Sequence, residues 1–182
     1  MQKLNLRRRG ILSALEAAAA GIALADGARE AQAAPQAPVR WRDHFPSLAR
    51  GAILADLRQR AVLFWSEDGT VHRRFPAAVP AARDLSRVGL TRIIRKVEGP
   101  TWRPTPAMRE RDPGLPASLP PGPGNPFGTH ALCLEWDHFR IHGISDPALL
   151  GGEVAHGCIG LHNADIAELF SLARVGTQVR LI

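Results

Sequence analysis

Residues 139–163 read FRIHGISDPALLGGEVAHGCIGLHN, and the 182-residue chain is organised around them. The stretch opens on a short β-like run, Phe139-Arg140-Ile141, which ends in His142-Gly143. Sixteen residues beyond His142 stands Cys158, one of two cysteines, in Ala155-His156-Gly157-Cys158. A thiol nucleophile needs a base to take its proton and a third group that holds the base in one tautomer. Glycine beside each partner lets backbone amides or carbonyls approach a reacting centre closely. Cys158, His142, Gly143 and Gly157 are therefore the candidate catalytic set for acyl transfer. His142 is the expected base, and the N–H groups of Gly157 and Cys158 are the expected donors to an oxyanion. A free thiol titrates near about 8.5, so imidazole and backbone dipoles must favour the thiolate.

Two other readings use the same atoms. In an oxidising compartment Cys133 and Cys158 could pair as a structural disulfide. Cys133 lies in Ala131-Leu132-Cys133-Leu134, a setting that suits a small hydrophobe in a core. His130, His138, His142, His156 and His162 crowd around Cys158, but their spacing matches no familiar zinc pattern. No metal and no cofactor is expected.

The stretch resembles the L,D-transpeptidases of the YkuD type, the ErfK, YbiS and YcfS branch included. Their pattern is His-Gly, a connection of about a dozen residues, and a Ser/Thr-His-Gly-Cys-Ile-Arg signature. The likeness continues through Leu161, Asn163, Asp165 and Val175-Gly176-Thr177-Gln178-Val179. Upstream it takes in Thr101-Trp102-Arg103-Pro104-Thr105-Pro106 and the run from Pro120 to Pro126. Three positions depart from the pattern: Ala155 replaces Ser/Thr, Gly160 replaces Arg or Asn, and Ile144 replaces Thr. The resemblance implies a mainly β fold with one or two short helices, a β-sandwich or mixed barrel. It also implies that the Gly143 carbonyl holds the His142 imidazole and that the acyl donor is a peptidoglycan stem tetrapeptide. Cys158 would form a thioester with loss of the terminal D-alanine. An amine from a second stem, or from an outer-membrane protein, would resolve it. Resolution by water would make a carboxypeptidase or amidase, and a weakly active peptidoglycan-binding domain is the reading from another class. His156, Arg140, Trp102 and Arg103 are the candidate substrate-binding residues, the arginines because guanidinium grips carboxylates in bidentate fashion. Work done by an arginine at position 160 is expected to have moved elsewhere in this chain.

Bulk properties agree with one globular domain. A hydrophobic fraction of 45% beside 22% charged residues is ordinary, and the length suits one well-buried core. A net charge of +6 invites a nucleic-acid reading, but the arginines are scattered and form no basic stripe after the N-terminus. Residues 1–33 have the layout of an export signal: Lys3, Arg7, Arg8 and Arg9, then the mostly small, apolar run from Ile11 to Ala25. Arg8-Arg9 before that run suits a twin-arginine signal, which would place the mature protein in the periplasm or cell envelope. Residues 34–50 read as a linker and lead-in, and 51–182 as the catalytic domain. No later run reaches the roughly 18 apolar residues of a membrane span, so stable membrane insertion is not expected.

Within the domain, Ile53–Leu57 and Ala61–Trp65 read as strands around Arg58-Gln59-Arg60, and Asp68-Gly69 signals a hairpin before Val71–Phe75. Arg92–Val97, His130–Trp136, Phe139–Ile141 and Val179–Ile182 are further strands, in a predominantly antiparallel arrangement. A helix is expected with Asn163 as N-cap, Ile166, Leu169, Phe170 and Ala173 on its apolar face, and Gly176 as its stop. Between Val97 and Gly128 lie nine of the fifteen prolines. Their density predicts a stiff lid or groove wall, anchored by Trp102 and Met108.

Overall fold

Two runs, Ala52–Asp56 (β1), apolar up to its closing aspartate, and Ala61–Trp65 (β2), apolar throughout, are buried at every residue. A strand pair with one solvated face would alternate, so both faces of this pair must be covered. Ile53, Ala55, Val62 and Phe64 enter the main core, while Ala52, Leu54, Ala61, Leu63 and Trp65 pack with Phe45 and Leu48 of the lead-in. Asp56 makes the turn between the strands: its Oδ1 accepts from the amides of Arg58 at 3.0 Å and Gln59 at 2.9 Å. The computed structural model describes residues 39–80, 87–144, 146–150, 153–154 and 158–182. The expected export signal, His156 and Gly157 lie outside them. No described helix is long and apolar enough to cross a membrane.

The remaining strands are β3 (His72–Pro80), β4 (Gly89–Glu98), β5 (His130–Leu134), β6 (Arg140–Gly143), β7 (Glu153–Val154), β8 (Ile159–Leu161) and β9 (Gln178–Leu181). They neighbour one another in the order β2-β1-β9-β4-β5-β6-β8-β3, and β3 pairs back onto β2. That closes an eight-stranded mixed barrel, and β7 lies beside β3. Of the two layouts implied by the resemblance, the barrel is the one formed. Most pairings are antiparallel as expected, but β1 with β9, β6 with β8 and β3 with β7 run parallel. The strand β8 has no readable sequence signal because three residues, Ile159-Gly160-Leu161, are too few to show a period.

The helix α2 (Asn163–Leu172) seals the barrel core with Ile166 and Leu169, followed by Ala173. One expectation is corrected here: His162, not Asn163, is the N-cap. The His162 Nδ1 accepts from the Ala164 amide at 3.3 Å, and Asn163 is already helical. The side chain of Asn163 is engaged with Thr129 instead. At the other end the helix stops before Gly176, at Leu172, and Lys96 Nζ satisfies the freed carbonyls of Phe170 at 2.5 Å and Ala173 at 2.7 Å.

The proline-rich segment between β4 and β5 carries one short helix, α1 (Pro106–Arg111), with Thr105 as its cap and proline at its first position. Trp102 and Leu119 exchange two backbone hydrogen bonds of 2.9 Å. Asn125 is 1% exposed and pins the segment from within. Its Nδ2 donates to the carbonyls of Pro100 (2.8 Å), Pro120 (2.9 Å) and Leu119 (3.2 Å), and its Oδ1 accepts from Phe127 N at 2.8 Å.

Candidate active site

In β6, Ile141 points into the barrel core, which turns Arg140 and His142 to the outer face. Register then decides what meets there. Across the antiparallel junction Ala131 faces His142 and Cys133 faces Arg140, while across the parallel one Gly160 faces His142. Cys158 sits one residue before β8, alongside Arg140. Ala131, Cys133, Arg140, His142 and Cys158 thus form one floor beneath a cavity of about 1080 Å³. The proline-rich segment supplies the facing wall, including Trp102, Arg103, Met108 and Phe127. Two residues separated by sixteen positions in sequence are brought together by the short parallel pairing of β6 with β8.

The imidazole of His142 is 8% exposed, and its Nδ1 lies 2.6 Å from the Gly143 carbonyl oxygen. A carbonyl only accepts, so Nδ1 carries the proton and Nε2 keeps its lone pair. Burial holds the His142 pKa down at about 4, with Arg140 adding to the fall and the Gly143 bond opposing it. The ring is therefore neutral at physiological pH, as a base must be. Phe127 packs its ring against His142 at 4.8 Å between centroids, and the Arg140 guanidinium lies over Phe127 at 4.9 Å.

Cys158 is 6% exposed and unpaired in a disulfide, as is Cys133. Burial pushes the Cys158 thiol above its ordinary range, against the pull of the Arg140 backbone N–H and guanidinium. The resting pair is a thiol beside a neutral imidazole rather than the thiolate expected from the sequence. In this state Sγ–H donates to the His138 carbonyl at 3.3 Å, and Arg140 Nη1 reaches the same oxygen at 3.4 Å. His138 adopts a left-handed backbone (φ 64°) in the β5–β6 turn, which aims its carbonyl at the thiol.

Trp102 is 6% exposed and, with the exposed Arg103, lines the cavity. Of the histidines expected to crowd Cys158, His138 and His142 line the cavity with it, whereas His162 caps α2 and His130 packs at a tilt against Phe170. Among the described residues no three His, Cys, Asp or Glu side chains converge as metal ligands would. Gly160 is buried, and a Cβ there would stand 2.5 Å from Ile144 Cγ2. Two of the three departures from the signature therefore touch: Ile144 fills the space over Gly160. Sequence reading misses Asn125, Phe127 and Arg95; for Asn125 the turn-forming run Gly124-Asn125-Pro126 is a usable signal.

Residues 50–181 match the family model described as the YkuD L,D-transpeptidase catalytic domain. The chain belongs to this family. It is 46% identical over 188 residues to an L,D-transpeptidase homologue of Fuscovulum blasticum, named for ORF 5 of the ATP synthase subunits region, and 98% of each chain is covered. Against the Escherichia coli protein named ErfK/SrfK it is 35% identical over 75% of its own length and 46% of the relative's. Solved L,D-transpeptidase structures share the fold. The Enterococcus faecium catalytic domain acylated by ertapenem has a TM-score of 0.55 at 20% identity, covering 73% of this chain and 97% of that one. A Mycobacterium smegmatis L,D-transpeptidase gives 0.54 at 20% identity, covering 73% and 58%. The L,D-transpeptidase chain described here is thus an enzyme-family domain whose barrel carries its cysteine and histidine on one outer face.

Proposed function

We propose that this L,D-transpeptidase works in the cell envelope on peptidoglycan stem tetrapeptides, with Cys158 as nucleophile and His142 as base. The observation that carries the reading is the 2.6 Å bond from His142 to the Gly143 carbonyl, which leaves Nε2 free over a cavity that also holds Cys158. The cavity lining supports an anionic donor, since its described residues include Arg95, Arg103 and Arg140 and no carboxylate.

In the proposed cycle Nε2 takes the Sγ proton as the sulfur attacks the carbonyl joining diaminopimelate to the terminal D-alanine. The negative oxygen is met by backbone N–H groups, those of Cys158 and Gly157 being the candidates. The C–N bond breaks, D-alanine leaves with the proton returned by His142, and a thioester remains. An amine of a second stem then attacks the thioester, gives its proton to His142, and the thiol is regenerated. Arg140 and Arg103 are proposed to hold substrate carboxylates, with Trp102 and His156 lining the groove. The proposed location rests on the export signal read in residues 1–33.

Mass spectrometry of purified stem tetrapeptides incubated with the mature protein tests the proposal. Stem-to-stem dimers are expected. A trimmed tripeptide would make water the acceptor, and unchanged tetrapeptide would overturn the enzymatic reading.

A further inference from the structure

Behind the histidine, three distant parts of the chain meet in a space with room for no side chain but one. Gly143 ends β6, Gly128 ends the proline-rich wall, and Asn163 begins α2. The Oδ1 of Asn163 accepts from the Thr129 amide at 3.0 Å and lies 3.4 Å from Thr129 Oγ1. A Cβ on Gly128 or on Gly143 would collide with that same oxygen, and one on Gly128 would also stand 2.6 Å from the Gly143 carbonyl carbon. Gly128 is further constrained by its φ of +58°, whereas Gly143 is not left-handed, so its glycine answers to space alone.

The peptide packed in this way is the one whose oxygen holds His142 Nδ1 at 2.6 Å. Capping of α2 is done by His162, so the Asn163 amide is not committed to the helix end. It joins the helix to Thr129, two residues from the Phe127 ring that packs on the imidazole. The Gly143 carbonyl and the Phe127 ring, which bound the imidazole on two sides, therefore share Asn163 as a common brace.

We propose that Asn163 is a positioning residue of the reaction, which fixes the Gly143 peptide and the Phe127–Thr129 segment so that His142 stays in its Nδ1–H tautomer. The inference rests on the reading of His142 as base. Both bonds to Asn163 use its oxygen as acceptor, so aspartate can replace asparagine in them and alanine or serine cannot reach. Loss of the brace opens space behind the Gly143–Ile144 peptide, which Ile144 N still ties to the Leu161 carbonyl at 2.9 Å, and lets that peptide tilt enough for the ring to shift or change tautomer. That harms the step in which the proton moves and leaves the groove that binds substrate in place.

The test combines single-turnover acylation by a carbapenem with nitrogen NMR of the His142 ring, on the folded wild type, Asn163→Ala, Asn163→Ser and Asn163→Asp. Alanine and serine variants are expected to lose about 10- to 100-fold in the acylation rate constant, with little change in the concentration giving half the maximal rate. Their His142 signals should shift from Nδ1–H toward a mixture of tautomers. The aspartate variant should keep most of the rate, and its added charge should raise the pH of the acid limb. If Asn163→Ala is unstable, the serine variant gives the same reading. Wild-type rates in the alanine and serine variants, or an unmoved tautomer, would overturn the inference. His142→Gln serves as control: if it retains full activity, the base reading falls and takes this one with it. If it is inactive while Asn163→Ala is not, the positioning role alone falls.

Discussion

The two sides of the cleft are held by different physics. The floor is the outer face of β5, β6 and β8, where ladder hydrogen bonds set the register of Ala131, Cys133, Arg140 and His142. The wall is the proline-rich segment, which has one short helix, one bridge and a set of side-chain pins centred on Asn125. A strand in a closed barrel cannot yield at one residue without disturbing its neighbours, whereas a pinned segment can. The proposed reacting groups stand on the rigid side, and the residues proposed to shape the substrate stand mostly on the other. Changes to the proposed reacting groups on the floor should stop chemistry, and changes on the wall should alter binding.

The largest contrast lies within the floor. Cys158→Ala should reduce transfer and hydrolysis by about 10³-fold or more, and should abolish carbapenem adducts seen by intact mass. Cys133→Ala lines the same cavity but should keep activity within about threefold and cost mainly packing. An adduct on Cys133 in the wild type would reverse the assignment.

His142 tests the rigidity of the floor through pH. Its ordinary value of 6.5 is lowered to about 4 in the folded protein, first of all by burial. Between these values the unfolded chain binds the proton and the folded one does not, so stability is full above pH 6.5 and is lost on descent toward pH 4. At about 1.4 kcal/mol per unit the loss is about 3 kcal/mol. Urea unfolding at pH 7 and pH 4.5 should show most of this loss in the wild type and much less in His142→Gln. Equal losses in both proteins would assign the acid sensitivity to other groups.

Gly160→Arg asks whether the floor has room for the family's usual residue. With Ile144 Cγ2 2.5 Å from the position of a Cβ, the substitution should destabilise by about 2 kcal/mol and lower activity. Ile144→Ala should recover part of both losses, since it removes the obstructing methyl. A rise in kcat/KM for Gly160→Arg would show instead that the wild-type site is impaired, and the account of an active enzyme would have to be withdrawn.

The wall should give the smallest effect on chemistry. Trp102→Ala is expected to raise KM about tenfold, roughly 1.4 kcal/mol, with kcat within about threefold. A fall in kcat with KM unchanged would place Trp102 among the groups that act on the transition state, and the division between the two sides would not hold.

Much of the floor is legible in the amino-acid sequence. His142-Gly143 and Cys158 can be picked out because the proposed thiol nucleophile, its proposed base and the glycine beside it are constrained locally, residue by residue. The runs of β1 and β2 are legible because strands buried on both faces are continuously apolar. The wall is legible as a stiff segment, since proline restricts the chain whatever surrounds it.

Tertiary structure alone decided the partners. Three residues of β8 have no period of their own, and only the closing of the barrel makes them a strand parallel to β6. The same holds for Asn163: its sequence position suits a helix cap, yet its oxygen is taken by Thr129, 34 residues earlier, and His162 caps in its place. The resting protonation of the site is likewise a tertiary property. Desolvation depends on what covers a residue, and the cover over His142 and Cys158 is assembled from strands and a wall that are far apart in sequence. Sequence by itself determined which chemical groups are present and which short stretches are stiff, because those follow from local covalent structure. Which groups meet, and in what state of charge, follows from long-range packing.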